Sequence, residues 1–109
     1  MNLDVTKYQL YTNTPFKYTL ALPKYAYYRG QASADKKSHI LAVGLDEVSI
    51  LSSTTALVTA AYYKAGLAPS SGKRNITLES GILVLDYAEP LSPKGQAIVD
   101  AIISSAKSY

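Results

Sequence analysis

The sequence predicts an α+β fold: an antiparallel β-sheet of about five or six strands with an N-terminal hairpin and a C-terminal helix. Three observations carry that expectation. Most of the chain divides into short extended runs separated by turn residues. The one helical stripe flanked by clear start signals comes last, and the strands precede it rather than alternating with helices, which points to an antiparallel sheet and away from βαβ crossovers.

Taken in order, Val5 to Tyr11 alternates loosely, and Thr12-Asn13-Thr14-Pro15 is turn chemistry. Phe16, Tyr18, Leu20 and Leu22 then share one face of a second extended run, so residues 1–23 read as a hairpin. Pro23 interrupts it. Lys24 to Ala32 carries three tyrosines, Ala34-Asp35-Lys36-Lys37 is a short polar turn, and His39 to Leu51 is an Ile/Leu/Val-rich strand apolar on both faces. Thr55 to Ala65 is alanine-rich. Ser53 as N-cap and Gly66 as stop would suit a helix, while a strand tip and long loop suit it equally. Pro69 to Lys73 is loop by composition, and the domain is expected to carry a long loop at 52–73 within a sheet spanning 24–88. Asn75 to Tyr87 is the strongest strand, with Ile76, Leu78, Ile82 and Val84 expected on one face and Gly81 marking a bulge or close contact. Ser92 and Pro93 supply an N-cap and a first-turn proline for a helix over 92–108. Its apolar stripe is Ile98, Val99, Ile102, Ile103 and Ala106.

The 109 residues suit a single domain, 1–109, of which 48% is hydrophobic. So small a domain leaves much surface unburied, and partner chains are a natural source of further stability. With no cysteine and one histidine, His39, thiol chemistry, disulfides and cysteine-based zinc sites are excluded. No cofactor is expected. No apolar run approaches a membrane span, and the start lacks the pattern of a signal peptide. Asn75-Ile76-Thr77 matches a glycosylation acceptor that is empty without secretion. The net charge of +3 permits nucleic-acid binding without demanding it. Ten tyrosines beside one phenylalanine and no tryptophan suit half-wet interfaces and base-stacking surfaces, or plain strand packing.

Ala26-Tyr27-Tyr28-Arg29-Gly30-Gln31, a polar turn, and His39-Ile40-Leu41-Ala42-Val43-Gly44-Leu45-Asp46-Glu47-Val48 resemble the central strand pair of the coat proteins of single-stranded RNA bacteriophages. The long segment Leu51 to Arg74, the strand Asn75-Ile76-Thr77-Leu78-Glu79, the break Ala88-Glu89-Pro90-Leu91-Ser92-Pro93 and the final helix continue the resemblance over residues 24–107. Its weight lies in order, spacing and length, and it departs from the family in having only one short terminal helix. The resemblance implies a levivirus-like structural protein, made in the host bacterial cytoplasm and assembled into an icosahedral virion. Sheets of two chains would join edge to edge, each helix packed on the neighbour's sheet, with the helix-free face toward genomic RNA hairpins.

If Arg29 matches the family's inward basic residue, strand alternation puts Tyr25, Tyr27 and Gln31 beside it, with His39 opening the same face on the next strand. Glu79 matches an inward acid, which places Asn75 and Thr77 inward too. Tyr25 and Tyr27 suit stacking, Arg29, Gln31, Asn75 and Thr77 hydrogen bonding to unpaired bases, and Lys36, Lys37, Lys73 and Arg74 phosphate. Each has an ordinary use as well: cross-strand packing for the tyrosines, a surface ion pair for Arg29, a half-exposed strand residue for His39, solvated charge for the lysines. Signals for enzymes fail. Gly66 lies one residue too far from Gly72-Lys73 for a phosphate-binding loop, and Arg74 stands where a Ser or Thr is needed. Adjacent Asp46 and Glu47 would point to opposite faces of a strand, and no nucleophile-elbow pattern supports a triad with His39. The alternative reading is a small regulatory or inhibitory α+β dimer that binds RNA or a protein.

Overall fold

The structure, a computed structural model, describes residues 7–32, 38–52, 55–64, 74–79 and 81–108. It has the expected α+β fold, in two layers. Strands β1 (Tyr8–Asn13) and β2 (Tyr18–Pro23) form the N-terminal hairpin. Its turn is built locally: the Asn13 side-chain oxygen accepts a hydrogen bond from the Phe16 amide at 3.1 Å, and Lys17 takes a left-handed φ of 57°. Strands β3 (Tyr27–Ala32), β4 (Ser38–Gly44), β5 (Val58–Lys64), β6 (Arg74–Thr77) and β7 (Gly81–Tyr87) form an antiparallel sheet in the order β3-β4-β5-β7-β6.

Helix α1 (Pro93–Ser105) starts as its sequence signals, with the Ser92 hydroxyl accepting from the Gly95 amide at 3.2 Å and proline in the first turn. It ends at Ala106, and a two-residue strand β8 (Lys107–Ser108) pairs with β2. The helix runs along β2, where the Ala21 amide donates to the Ser105 hydroxyl at 2.7 Å. Hairpin and helix together cover one face of the five-stranded sheet. Leu20, Leu22, Leu41, Val43, Val58, Leu83, Leu85, Ile98 and Ile102 meet between the layers, all fully buried. Burial of each such side chain contributes roughly 1.5–3 kcal/mol.

Four expectations are corrected here. The stretch assigned to a long loop, 52–73, contains β5, the middle strand of the sheet. Val58, Ala60 and Tyr62 face the core, an alternation masked in the sequence by small residues of high helix propensity; tertiary burial outweighs that propensity. The strand proposed for His39 to Leu51 ends at Gly44. A bend and a 3₁₀ turn (Ser49–Leu51) follow, seeded by the Asp46 carboxylate accepting from the Ser49 amide at 2.7 Å. The single strand proposed for Asn75 to Tyr87 is a hairpin, closed where the Leu78 amide donates to the Gly81 carbonyl at 2.8 Å. The reversal shifts the alternation, so Ile76 pairs with Leu83 on the core side while Ile82 and Val84 face the other way. Gly81 is the close contact expected of it: a Cβ there would run into the Tyr63 carbonyl oxygen of the paired strand. Finally, the helix stripe is covered by its own chain rather than by a neighbour's sheet, and the helix ends three residues before the proposed limit. The polar turn at 34–37, the N-cap Ser53, the stop Gly66 and the loop 69–73 lie outside the described residues.

Candidate nucleic-acid interface

The second face of the five-stranded sheet lies away from hairpin and helix. Cross-strand register fixes which side chains it carries. Arg29 pairs with Ala42, Tyr27 with Gly44 and Gln31 with Ile40, while Tyr28, Gly30 and Ala32 oppose the core-side Val43, Leu41 and His39. At the other end of the sheet, Asn75 pairs with Val84 and Thr77 with Ile82. Tyr27, Arg29, Gln31, Asn75 and Thr77 therefore project from one face, as the sequence suggests, and all five are exposed.

They do not form one cluster. Strands β3 and β6 are the two edges of the sheet, four inter-strand steps or about 19 Å apart. Between them lie Ile40, Thr59, Ala61, Tyr63 and Ile82, a largely apolar strip with one ring in its centre. Tyr63 and Thr59 are not among the residues expected on this face, because the sequence of 55–65 suits helix or loop as well as strand. Their signal was the period-two alternation from Val58 to Tyr63.

Arg29 is held at the rim of this face. Its Nη1 donates to the Leu51 carbonyl at 3.1 Å, tying β3 to the 3₁₀ turn. The two segments enclose a cavity of about 210 Å³ lined by Arg29, Gln31, Ile40, Ala42, Ile50 and Leu51, among others. The guanidinium thus meets a neutral carbonyl, and among the described residues no carboxylate is seen to pair with it.

Two proposed site residues are elsewhere. His39 is directed into the core, because it pairs with Tyr62 and Ala32 on the covered side. It is buried against Tyr11 and Phe16, with its Nε2 3.5 Å from the Tyr11 hydroxyl and its Nδ1 without a partner. Burial holds its pKa below the ordinary histidine range. Tyr25 sits in the turn before β3, where its hydroxyl donates to the Lys94 carbonyl of α1 at 3.0 Å. Strand alternation cannot be counted back through a turn, so it does not share the face of Arg29. Glu79 occupies the β6–β7 turn, its amide donating to the Ser108 hydroxyl at 3.0 Å. Arg74 lies on the core side of the β6 edge, exposed. Lys36, Lys37 and Lys73 lie outside the described residues.

Among the described residues no three potential metal ligands come together, and no helix is long and apolar enough to cross a membrane. No protein-family model, curated protein or solved structure matches this chain.

Proposed function

We propose that this chain is a structural coat protein of an RNA phage, which forms dimers, closes an icosahedral shell in the host bacterial cytoplasm and holds genomic RNA hairpins on the helix-free face of its sheet. One observation carries the reading: Tyr27, Arg29, Gln31, Asn75 and Thr77 all project from the face that hairpin and helix leave uncovered. Ring, guanidinium, amide and hydroxyl groups on an extended surface are what unpaired bases and phosphates require. The apolar strip through Ile40 and Tyr63 offers bases a further surface on which to stack.

Edge strands support the assembly half of the reading. Every residue of β3 is exposed, the strand has one charge and no proline, and among the described residues no strand pairs with its outer edge. Such an edge readily accepts another strand. The alternative, a small regulatory or inhibitory dimer, is favoured by the helix stripe being buried within its own chain, which leaves that face needing no partner.

Expression of the chain alone separates the two. The coat reading expects particles sedimenting far above a dimer, with absorbance near 260 nm from enclosed RNA. A stable dimer or monomer at high concentration, free of nucleic acid, contradicts it, and the dimer supports the alternative.

A further inference from the structure

Opposite the proposed RNA face, the open end of the N-terminal hairpin meets the first turn of α1 around a cleft of about 450 Å³ lined by Lys7, Tyr8, Pro23, Lys24, Tyr25 and Ala97. The cleft is held in shape by backbone and side-chain bonds. The Lys24 amide donates to the Lys7 carbonyl at 2.9 Å. The Gln9 amide nitrogen donates to the Pro23 and Ala26 carbonyls at 3.1 and 3.0 Å, fixing the turn that presents Tyr25. Tyr25 is anchored to the helix through the Lys94 carbonyl, and the Lys94 ammonium stands 5.2 Å from the centre of its ring.

Lys7 and Lys24 therefore line the cleft beside two aromatic rings, the Lys94 ammonium stands over one of those rings, and no carboxylate is among the described residues that line the cleft. Each lysine has a long, flexible stem that can bring its charge to an anion seated in the cleft. Tyrosine rings with a proline and an alanine beside them make a dry wall for a flat ring, while the lysines offer donors to phosphate. We propose that this cleft binds a nucleoside phosphate, its base against Tyr8 and Tyr25 and its phosphate among Lys7, Lys24 and Lys94. The site shares no residue with Arg29 or its face. Nothing in it reads base edges, so it accepts different bases, and its affinity falls as salt rises.

Saturation-transfer difference NMR on the full chain tests this with adenosine 5′-monophosphate, and it reads the ligand whether the protein is a dimer or a shell. The base protons should receive saturation most strongly. Lys24→Ala and Lys94→Ala should each weaken binding about five- to tenfold. Tyr25→Ala should weaken it similarly, whereas Tyr25→Phe keeps the ring and should retain it. Arg29→Ala, on the other face, should leave the signal unchanged. Inorganic phosphate and adenosine alone should each compete poorly. The proposal is overturned if either competes as well as the nucleotide, if an acidic peptide displaces it equally, if the signal follows Arg29 rather than the lysines, or if no transfer is seen.

Discussion

The two faces of the central sheet use the same residue type in opposite ways. On the covered face Tyr18 and Tyr62, 0% and 1% exposed, stack with ring centres 5.3 Å apart, and Phe16 lies 4.9 Å from Tyr62. On the other face Tyr27 is 43% exposed at a sheet edge. Tyrosine chemistry is the same in both places; what differs is the layer above. Hairpin and helix remove Tyr18 and Tyr62 from water and make them structural. Among the described residues no layer covers Tyr27, and its ring is open to a partner. The comparison predicts that substitutions on the covered face cost stability, while those on the other cost binding.

The largest effect is expected from Ile102→Asp. Ile102 is fully buried beneath the helix, and an unpaired carboxylate there should cost about 4 kcal/mol or more, enough to unfold the domain. Loss of the folded circular dichroism signal is the measurement; a soluble, folded variant would erase the distinction between the faces. Tyr62→Ala should cost about 3–4 kcal/mol in denaturant unfolding, since it opens a cavity where Tyr18 and Phe16 now pack. The equivalent change on the other face, Tyr27→Ala, should shift unfolding by no more than about 0.5–1 kcal/mol.

His39 sharpens the comparison through pH. Its neutral form is favoured in the folded chain, because burial lowers its pKa. The unfolded chain takes up a proton near pH 6.5 while the folded one resists. Stability is therefore full above about pH 6.5 and declines as pH falls below it toward the folded value. His39→Gln should flatten that part of a melting-temperature profile. A histidine on the uncovered face, open to water, would give no such decline. The smallest effect belongs to the hairpin turn: Lys17→Gly should stabilise by about 0.5 kcal/mol, because glycine has no Cβ to be crowded in the left-handed backbone that Lys17 adopts, while its extra freedom in the unfolded chain offsets part of the gain.

These contrasts also mark what the sequence made legible. The hairpin, with Phe16, Tyr18, Leu20 and Leu22 inward, and the helix start at its Ser92 cap follow from local chemistry, although the hairpin turn lies at 14–17 instead of 12–15, with Phe16 within it, and the helix stops at Ser105. Strand β5 was hidden because alanine and threonine fit helix and sheet alike, and only its place between β4 and β7 decides the matter. The turn between β6 and β7 is signalled in the sequence by Ser80-Gly81, a turn dipeptide; alternation counted through it as if through a bulge puts Ile82 and Val84 on the wrong side. The same reliance on alternation served Arg29, Tyr27 and Gln31, which share one unbroken strand. It failed for Tyr25 and His39, each separated from Arg29 by a turn. Alternation holds within a strand and carries no information across a reversal.

The central claim is that the uncovered face meets RNA, and Arg29 is its most direct probe. The measurement is the affinity of Arg29→Ala dimers for an RNA hairpin recovered from wild-type particles, at one fixed salt concentration, beside a thermal melt of the same sample. The expected result is a loss of about 1–3 kcal/mol in binding, with dimers intact and stability changed by less than about 0.5 kcal/mol. Unchanged affinity, or loss of soluble dimer while RNA binding survives in what remains folded, would contradict the assignment of the faces.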